Sequence, residues 1–378
     1  MNFKLTTEQE MIKKMVRDFT EKEVAPYDAE IDRKGEFPWE IIKKMSETGL
    51  FGISFPEEYG GAGADAVCEA ITLEELARGS GSVSITLNAH MLCAHPILQF
   101  GTEEQKKKYL PDLVAGKKLG AFALTEPVAG SDAAGIQTTA TLDGDEYILN
   151  GQKTWITNFS VADIVLVAAK TDPKAGPKGI SVFIVEKGTP GFIVGDKEDK
   201  MGIRGSDTGE LIFDNCRIPR ENLLGKEGQG FKIAMVALDS GRFGIGAMGV
   251  GIAQHAMEEA IKYAKERVAF GKPIAKFQAV QFMIADMAME IQAARNLVYQ
   301  AAFKRDNGER FTVDAAMAKL FASEIAMKTT KNAIQIFGGY GYSREYPVER
   351  LLRDAKILEI GEGTSEILRM VIGGSVLR

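Results

Sequence analysis

Glu362 is the residue of this chain best placed to do chemistry. It stands between Gly361 and Gly363, directly before a helix-like run. Neither neighbour carries a Cβ, so the backbone there can approach a ligand closely. A carboxylate so placed suits a general base, which must meet its substrate at hydrogen-bond distance. The plainer reading is a helix-entry turn whose acid favours the positive helix terminus. The segment alone leaves both open.

Other segments bear on the choice. They are Phe122-Ala123-Leu124-Thr125-Glu126-Pro127-Val128-Ala129-Gly130-Ser131-Asp132, then Asn150-Gly151-Gln152-Lys153-Thr154-Trp155-Ile156-Thr157-Asn158. Gln335-Ile336-Phe337-Gly338-Gly339, Glu345-Tyr346-Pro347-Val348-Glu349-Arg350 and Glu362-Gly363-Thr364 follow. In this order and spacing the chain resembles the acyl-CoA dehydrogenase family over nearly its whole length, nearest to the short-chain members. The resemblance implies an FAD enzyme that places a trans double bond between Cα and Cβ of an acyl-CoA. Glu362 would take the α proton while the β hydrogen leaves as hydride to flavin N5, and electrons would pass to an electron-transferring flavoprotein. The Glu362 N–H and an FAD ribityl hydroxyl would hold the thioester oxygen, each such donor being worth about 3–4 kcal/mol.

The resemblance also implies the contacts. Phe122, Leu124, Thr125, Ser131, Trp155, Ile156 and Thr157 would touch the flavin. Trp155 offers a large flat surface, and Thr157 shares its side if the segment is a strand. Arg267, Phe270, Gln278, Gln335, Gly338 and Gly339 would reach the FAD of a neighbouring subunit in a homotetramer, with Thr364 and Glu366 also on the cofactor. Ser131, Asp239, Arg242 and Gly363 would meet the acyl-CoA. The plainer readings are a core Trp155, an exposed helix-end Arg267, glycine helix caps at Gly338 and Gly339, and a helix-end ion pair for Asp239 and Arg242.

Some members carry the base on the helix that here reads Leu238-Asp239-Ser240-Gly241-Arg242; the matching Gly241 cannot act, which favours Glu362. Many short- and medium-chain members have Tyr before the base. Gly361 replaces that ring, so the pocket is expected to admit branched, longer or aryl-bearing acyl groups. The same residues could run in reverse, as an enoyl-CoA or arylacryloyl-CoA reductase. A non-catalytic flavin-binding module is the reading of a different class, and it has no use for Glu362.

Three domains are expected to position these groups. Residues 1–118 read as an N-terminal all-α domain: Met11, Met15, Val16 and Phe19 recur at helical spacing, and Thr102 with Gln105 makes a capping-box pattern. Residues 119–226 read as a β-barrel, with Asp143-Gly144 and Asn150-Gly151 as hairpin dipeptides and β-branched runs at 164–168 and 180–185. Residues 227–378 read as a four-helix bundle, with helical periodicity at 256–268, 277–303 and 312–337. Gly244-Ile245-Gly246-Ala247-Met248-Gly249 matches G-x-G-x-x-G but lies between helical stretches, so it is expected to thin a helix for a close neighbour, by resemblance the flavin and thioester.

The bulk numbers agree. The 378 residues carry a net charge of −6, which gives no basic footprint for nucleic acid. No apolar run reads as a membrane span. The start at Met1–Glu8 lacks a signal-peptide core, so a cytoplasmic protein is expected. Cys68, Cys93 and Cys216 show neither disulfide nor zinc spacing, and His90, His95 and His255 read as satisfied structural residues with no metal role.

Overall fold

A computed structural model describes residues 4–377; Met1–Phe3 and Arg378 of the expected terminal domains lie outside the described residues. The N-terminal helices are α1 Thr7–Phe19, α2 Asp28–Lys34, α3 Trp39–Glu47, α4 Ala66–Gly79, α5 Gly81–Phe100 and α6 Glu103–Val114. Capping boxes at Thr6/Gln9 and Thr102/Gln105 start α1 and α6. Nearly every side chain of α4 and α5 is buried, because α1 packs on one side and the C-terminal helices on the other.

The middle strands are β1 Gly120–Ala123, β2 Thr139–Asp143, β3 Glu146–Thr157, β4 Ile164–Lys170, β5 Ile180–Glu186, β6 Phe192–Lys197, β7 Thr208–Pro219 and β8 Leu223–Leu224. They make one sheet ordered β6-β7-β3-β2-β4-β5-β8, with β1 added to β4. The ladder expected as a barrel thus has two open ends, β6 and β8. Both faces of β4 and β5 are buried, which is why they read as continuous apolar runs. Asp143-Gly144 does turn β2 into β3, with Gly144 at φ +62. Asn150-Gly151 is not a hairpin. It lies within β3 at a register shift, and a Cβ on Gly151 would stand 2.4 Å from Thr138 Oγ1. The bulge admits the neighbouring strand.

The C-terminal part comprises α7 Gly230–Glu266, the two-residue strands β9 Val268–Ala269 and β10 Lys272–Pro273, α8 Gln278–Asp306, α9 Thr312–Phe337, α10 Val348–Lys356 and α11 Ser365–Val376. α7 is one helix of 37 residues, longer than its sequence pieces suggest, and its apolar 18-residue window is 72% buried inside the fold. The glycine motif lies mid-helix, with no strand before it. Protein packs closely against it. A Cβ on Gly244 would meet Asn88 of α5 at 2.0 Å, and one on Gly249 would meet Ala322 of α9 at 2.8 Å.

Hydrogen bonds lock the three parts together. Asn158, just past β3, donates to Thr86 O at 3.1 Å and Gly120 O at 3.0 Å. The Ile203 N–H donates to Asp354 Oδ1 at 2.5 Å, and Arg353 grips both oxygens of Asp32 at 2.7 Å.

Candidate active site

Glu362 and Gly363 sit in a turn between α10 and α11, at φ +55 and +105. Left-handed backbone is costly for a side-chain-bearing residue and persists only where its surroundings fix it. Three contacts do so. Arg242 Nε donates to Glu362 O at 3.4 Å, Lys319 Nζ donates to Gly363 O, and Thr364 caps α11 by accepting the Ile367 N–H at 3.3 Å.

The strained turn sends the side chain inward between α5 and α7. Asn88 Nδ2 donates to Glu362 Oε1 at 2.8 Å. Oε2 is buried and has no hydrogen-bond partner. It fits because Gly241 has no side chain, and Leu92 lines the same spot. Burial pushes the carboxyl up to about 7, against the opposing charges of Lys319 and Arg242 and the Asn88 bond. Arg242 in turn pairs with Asp239 at 2.8 Å, and Thr312 donates to Asp239 at 2.6 Å. This pair lies within α7, in its N-terminal part rather than at its end.

A second group forms at the end of β1. Thr154 N–H donates to Thr125 O at 3.0 Å, joining the two segments read as flavin contacts. Beneath them Lys153 Nζ, fully buried, donates to Glu126 Oε1 at 2.7 Å and Leu124 O at 3.0 Å. Glu126 also accepts the Gln137 N–H at 2.5 Å and the Thr138 N–H at 3.0 Å. The β3–β7 register shifts between Lys153 and Ile156. That shift places Trp155 at φ +59 and leaves its side chain 56% exposed. Thr157 is half-buried, whereas Ile156 and Leu124 bury their side chains in the core and can offer a ligand only backbone. Phe122 and Thr125 are half-buried and Ser131 is exposed. Asn158 bonds Thr86, and Asn88 bonds Glu362, so one turn of α5 ties this group to the carboxylate.

A third group lines a surface cleft of about 480 Å³ among Tyr263, Arg267, Ile274, Phe337, Gly338, Gly339 and Tyr340. The Arg267 guanidinium lies 5.8 Å over the Tyr340 ring and pairs with no carboxylate among the described residues. A Cβ at Gly338 or Gly339 would meet nothing within 4 Å, so bare backbone forms that lip. Phe270 stands 95% exposed at φ +51, and Gln278 and Gln335 are exposed at the ends of α8 and α9. Exposed Trp155 suits a flavin ring, and the unpaired Arg267 in a cleft lipped by bare backbone suits a diphosphate. Thr364 and Glu366 sit at the N-terminus of α11, Glu366 exposed.

Asn88, Lys319 and the Lys153–Glu126 pair escaped the sequence reading. A lysine among Ala315, Ala316, Ala318 and Ala322, on an otherwise apolar helix face, was a signal for Lys319. Asn88 carried none. The histidines are not all satisfied: His90 Nε2 and His255 Nδ1 are buried without partners. Among the described residues no His, Cys, Asp and Glu group could hold a metal.

Comparison with known proteins agrees with this architecture. The N-terminal, middle and C-terminal domains of acyl-CoA dehydrogenase match residues 6–117, 121–216 and 228–377. The short-chain specific acyl-CoA dehydrogenase of Megasphaera elsdenii is 54% identical over 383 residues, covering 100% of both chains. The acryloyl-CoA reductase (NADH) of Anaerotignum propionicum is 52% identical, covering 100% of this chain and 96% of that one. A chain solved in work on the electron transferring flavoprotein of Acidaminococcus fermentans and flavin-based electron bifurcation superposes with a TM-score of 0.99 at 54% identity, covering 100% of both. The chain therefore belongs to the acyl-CoA dehydrogenase family.

Proposed function

We propose that the protein removes the α proton of a short acyl-CoA with Glu362, forming the trans-2-enoyl-CoA. One observation carries this reading: a buried, unpartnered carboxylate oxygen held against Gly241. Asn88 occupies Oε1, so Oε2 is the oxygen that takes the proton. A carboxyl raised to about 7 can accept and return a proton near neutral pH. The turn's own bonds run from the Ile360 and Gly361 N–H groups to Ile357 O, and Glu362 gives no N–H to them. That N–H suits the thioester oxygen, whose developing charge it would stabilise.

FAD is the family's cofactor and supplies the hydride acceptor when bound. Trp155, Thr157, Thr125 and Phe122, with the backbone at Leu124 and Ile156, would hold its ring. Ser131, Asp239, Arg242 and Gly363 would hold the acyl-CoA, and Thr364 and Glu366 would border the cofactor. Arg267, Phe270, Gln278, Gln335, Gly338 and Gly339 would grip the diphosphate end from another subunit. The span of α7 supports this: Gly241 and Arg267 lie about 39 Å apart along one helix. That is farther than one dinucleotide reaches, so the cleft serves a neighbour's cofactor. We infer a cytoplasmic homotetramer whose electrons pass to an electron-transferring flavoprotein. At Gly361 an added Cβ would touch only Ile357, at 3.6 and 3.9 Å, which supports a pocket open to larger acyl groups.

The likeness to an acryloyl-CoA reductase favours one second reading, the same chemistry in reverse. An anaerobic titration separates the readings. Butyryl-, isobutyryl- and 3-phenylpropionyl-CoA are added while flavin absorbance is followed. Bleaching by a saturated thioester is expected, and the thioester that bleaches fastest gives the acyl class. No bleaching, with reoxidation of the reduced protein by an enoyl-CoA, selects the reductase. Neither response would leave a non-catalytic flavoprotein.

A further inference from the structure

Lys319 is unusual for a helix packed into a core. It is fully buried, yet it forms no salt bridge among the described residues. Its ammonium donates to Gly363 O, one residue past Glu362. Taking an ammonium from water for a carbonyl is expensive, and a methionine of similar size would pack there at lower cost. The fold goes further to bring this lysine close. Gly246 and Gly249 of α7 face Ala318 and Ala322 of α9, where a Cβ on Gly249 would meet Ala322 O at 2.8 Å. The glycine motif thus lets α9 close on α7, and Lys319 reaches the turn from that contact.

We propose that Lys319 is a positioning residue for Glu362: it locks the Gly363 carbonyl, holds the left-handed turn, and faces the carboxylate with a buried positive charge. This rests on Glu362 being the base. The groups that face the carboxylate are few. Asn88 comes from α5, Arg242 with its partner Asp239 from α7, and Lys319 from α9. Glu359, in the turn before Glu362, and Glu366 of α11 also act electrostatically on Lys319. Arg242 is already neutralised by Asp239, so Lys319 is the unpaired cation of the set. Burial lowers the ammonium to about 8, and Glu362 opposes that shift. Removing the charge raises the carboxyl further, so the base ionises at higher pH.

The test uses the flavin-loaded protein and the variants K319Q, K319M and K319R. Glutamine can still donate to Gly363 O but carries no charge; methionine has neither property; arginine has both. Two quantities are read: the pH dependence of anaerobic flavin reduction, and the ¹³C carboxyl titration of Glu362, assigned by its absence in E362Q. The acid limb and the carboxyl midpoint should both rise by about one pH unit in K319Q and K319M, and stay within a few tenths of wild type in K319R. If K319Q fails to fold, K319M, which removes the buried charge, gives the same reading. Titrations of the neutral variants that overlie wild type would overturn the proposal. E362Q keeps the two failures apart. If E362Q reduces flavin normally, the base assignment is wrong; if E362Q is inactive and K319M titrates like wild type, only the role of Lys319 is wrong.

Discussion

Glu362 Oε2 occupies the space that a side chain at position 241 would fill: a Cβ on Gly241 would stand 2.1 Å from it. The two positions therefore exclude each other. Gly241→Ala should push the carboxyl out of its slot while leaving the turn and its Arg242 and Lys319 contacts in place. A displacement near 1 Å at a reacting group costs about 100-fold. Flavin reduction should fall by about that factor with flavin content and melting temperature little changed. A G241A variant as fast as wild type would show that the carboxyl works from another position.

Glu362→Gln keeps the Asn88 contact and the shape of the side chain but cannot accept a proton. It should bind flavin and acyl-CoA and reduce flavin at least about 10⁴-fold more slowly, the upper end for a lost general base. Stopped-flow absorbance measures this directly.

Lys153→Met should cost about 3–5 kcal/mol, because it leaves Glu126 buried beside the second group without its cation. The Leu124 carbonyl loses its donor too, so flavin should dissociate more readily. Lys153→Met with Glu126→Gln should recover part of the stability, since glutamine removes the buried charge and its one oxygen can still accept either the Gln137 or the Thr138 N–H. Thermal melts of the two variants give the coupling.

Asp354 offers a pH test of the domain junction. Burial, reinforced by Asp28, raises its carboxyl above the ordinary value of 3.8. The folded state thus holds this proton more tightly than the unfolded chain. The stability so gained is full below 3.8 and is lost as pH climbs from there through the raised folded value. Asp354→Asn keeps an oxygen for the Ile203 N–H and has no proton to lose. The wild-type melting temperature should therefore drop relative to D354N between pH 4 and pH 8. Parallel curves would mean that Asp354 does not titrate in this range.

Arg267→Ala removes the unpaired cation of the cleft. Hydrogen bonds to a charged group are worth about 1.5–3 kcal/mol, so flavin affinity should fall about 10- to 100-fold. If the cleft serves a neighbouring subunit's cofactor, as proposed, the loss should grow on dilution. Flavin fluorescence after dilution reads both effects.

The sequence made the fold class legible through period and punctuation. The helical spacing from Met11 to Phe19, the β-branched runs of β4 and β5, and the near-absence of proline after Pro219 all have local causes. Asn150-Gly151 misled because the same dipeptide that makes a tight turn also makes a bulge, and only the partner strand decides which. The site was half legible. Glu362 announced itself by its flanking glycines, and Gly241 by the vacancy of the alternative position. Asn88 lies 274 residues from Glu362, and their contact exists only once α5 packs on α7. Leu124 and Ile156 were read as contacts through motif position, which does not say which way a side chain points.

The length of α7 has a consequence for mixed assemblies. A chain that cannot use Glu362 still presents an intact cleft, and a chain without Arg267 still carries an intact base. Co-expressed E362Q and R267A chains should therefore complement one another: the R267A subunits would turn over with cofactor gripped by E362Q neighbours, and activity would return from two separately crippled polypeptides.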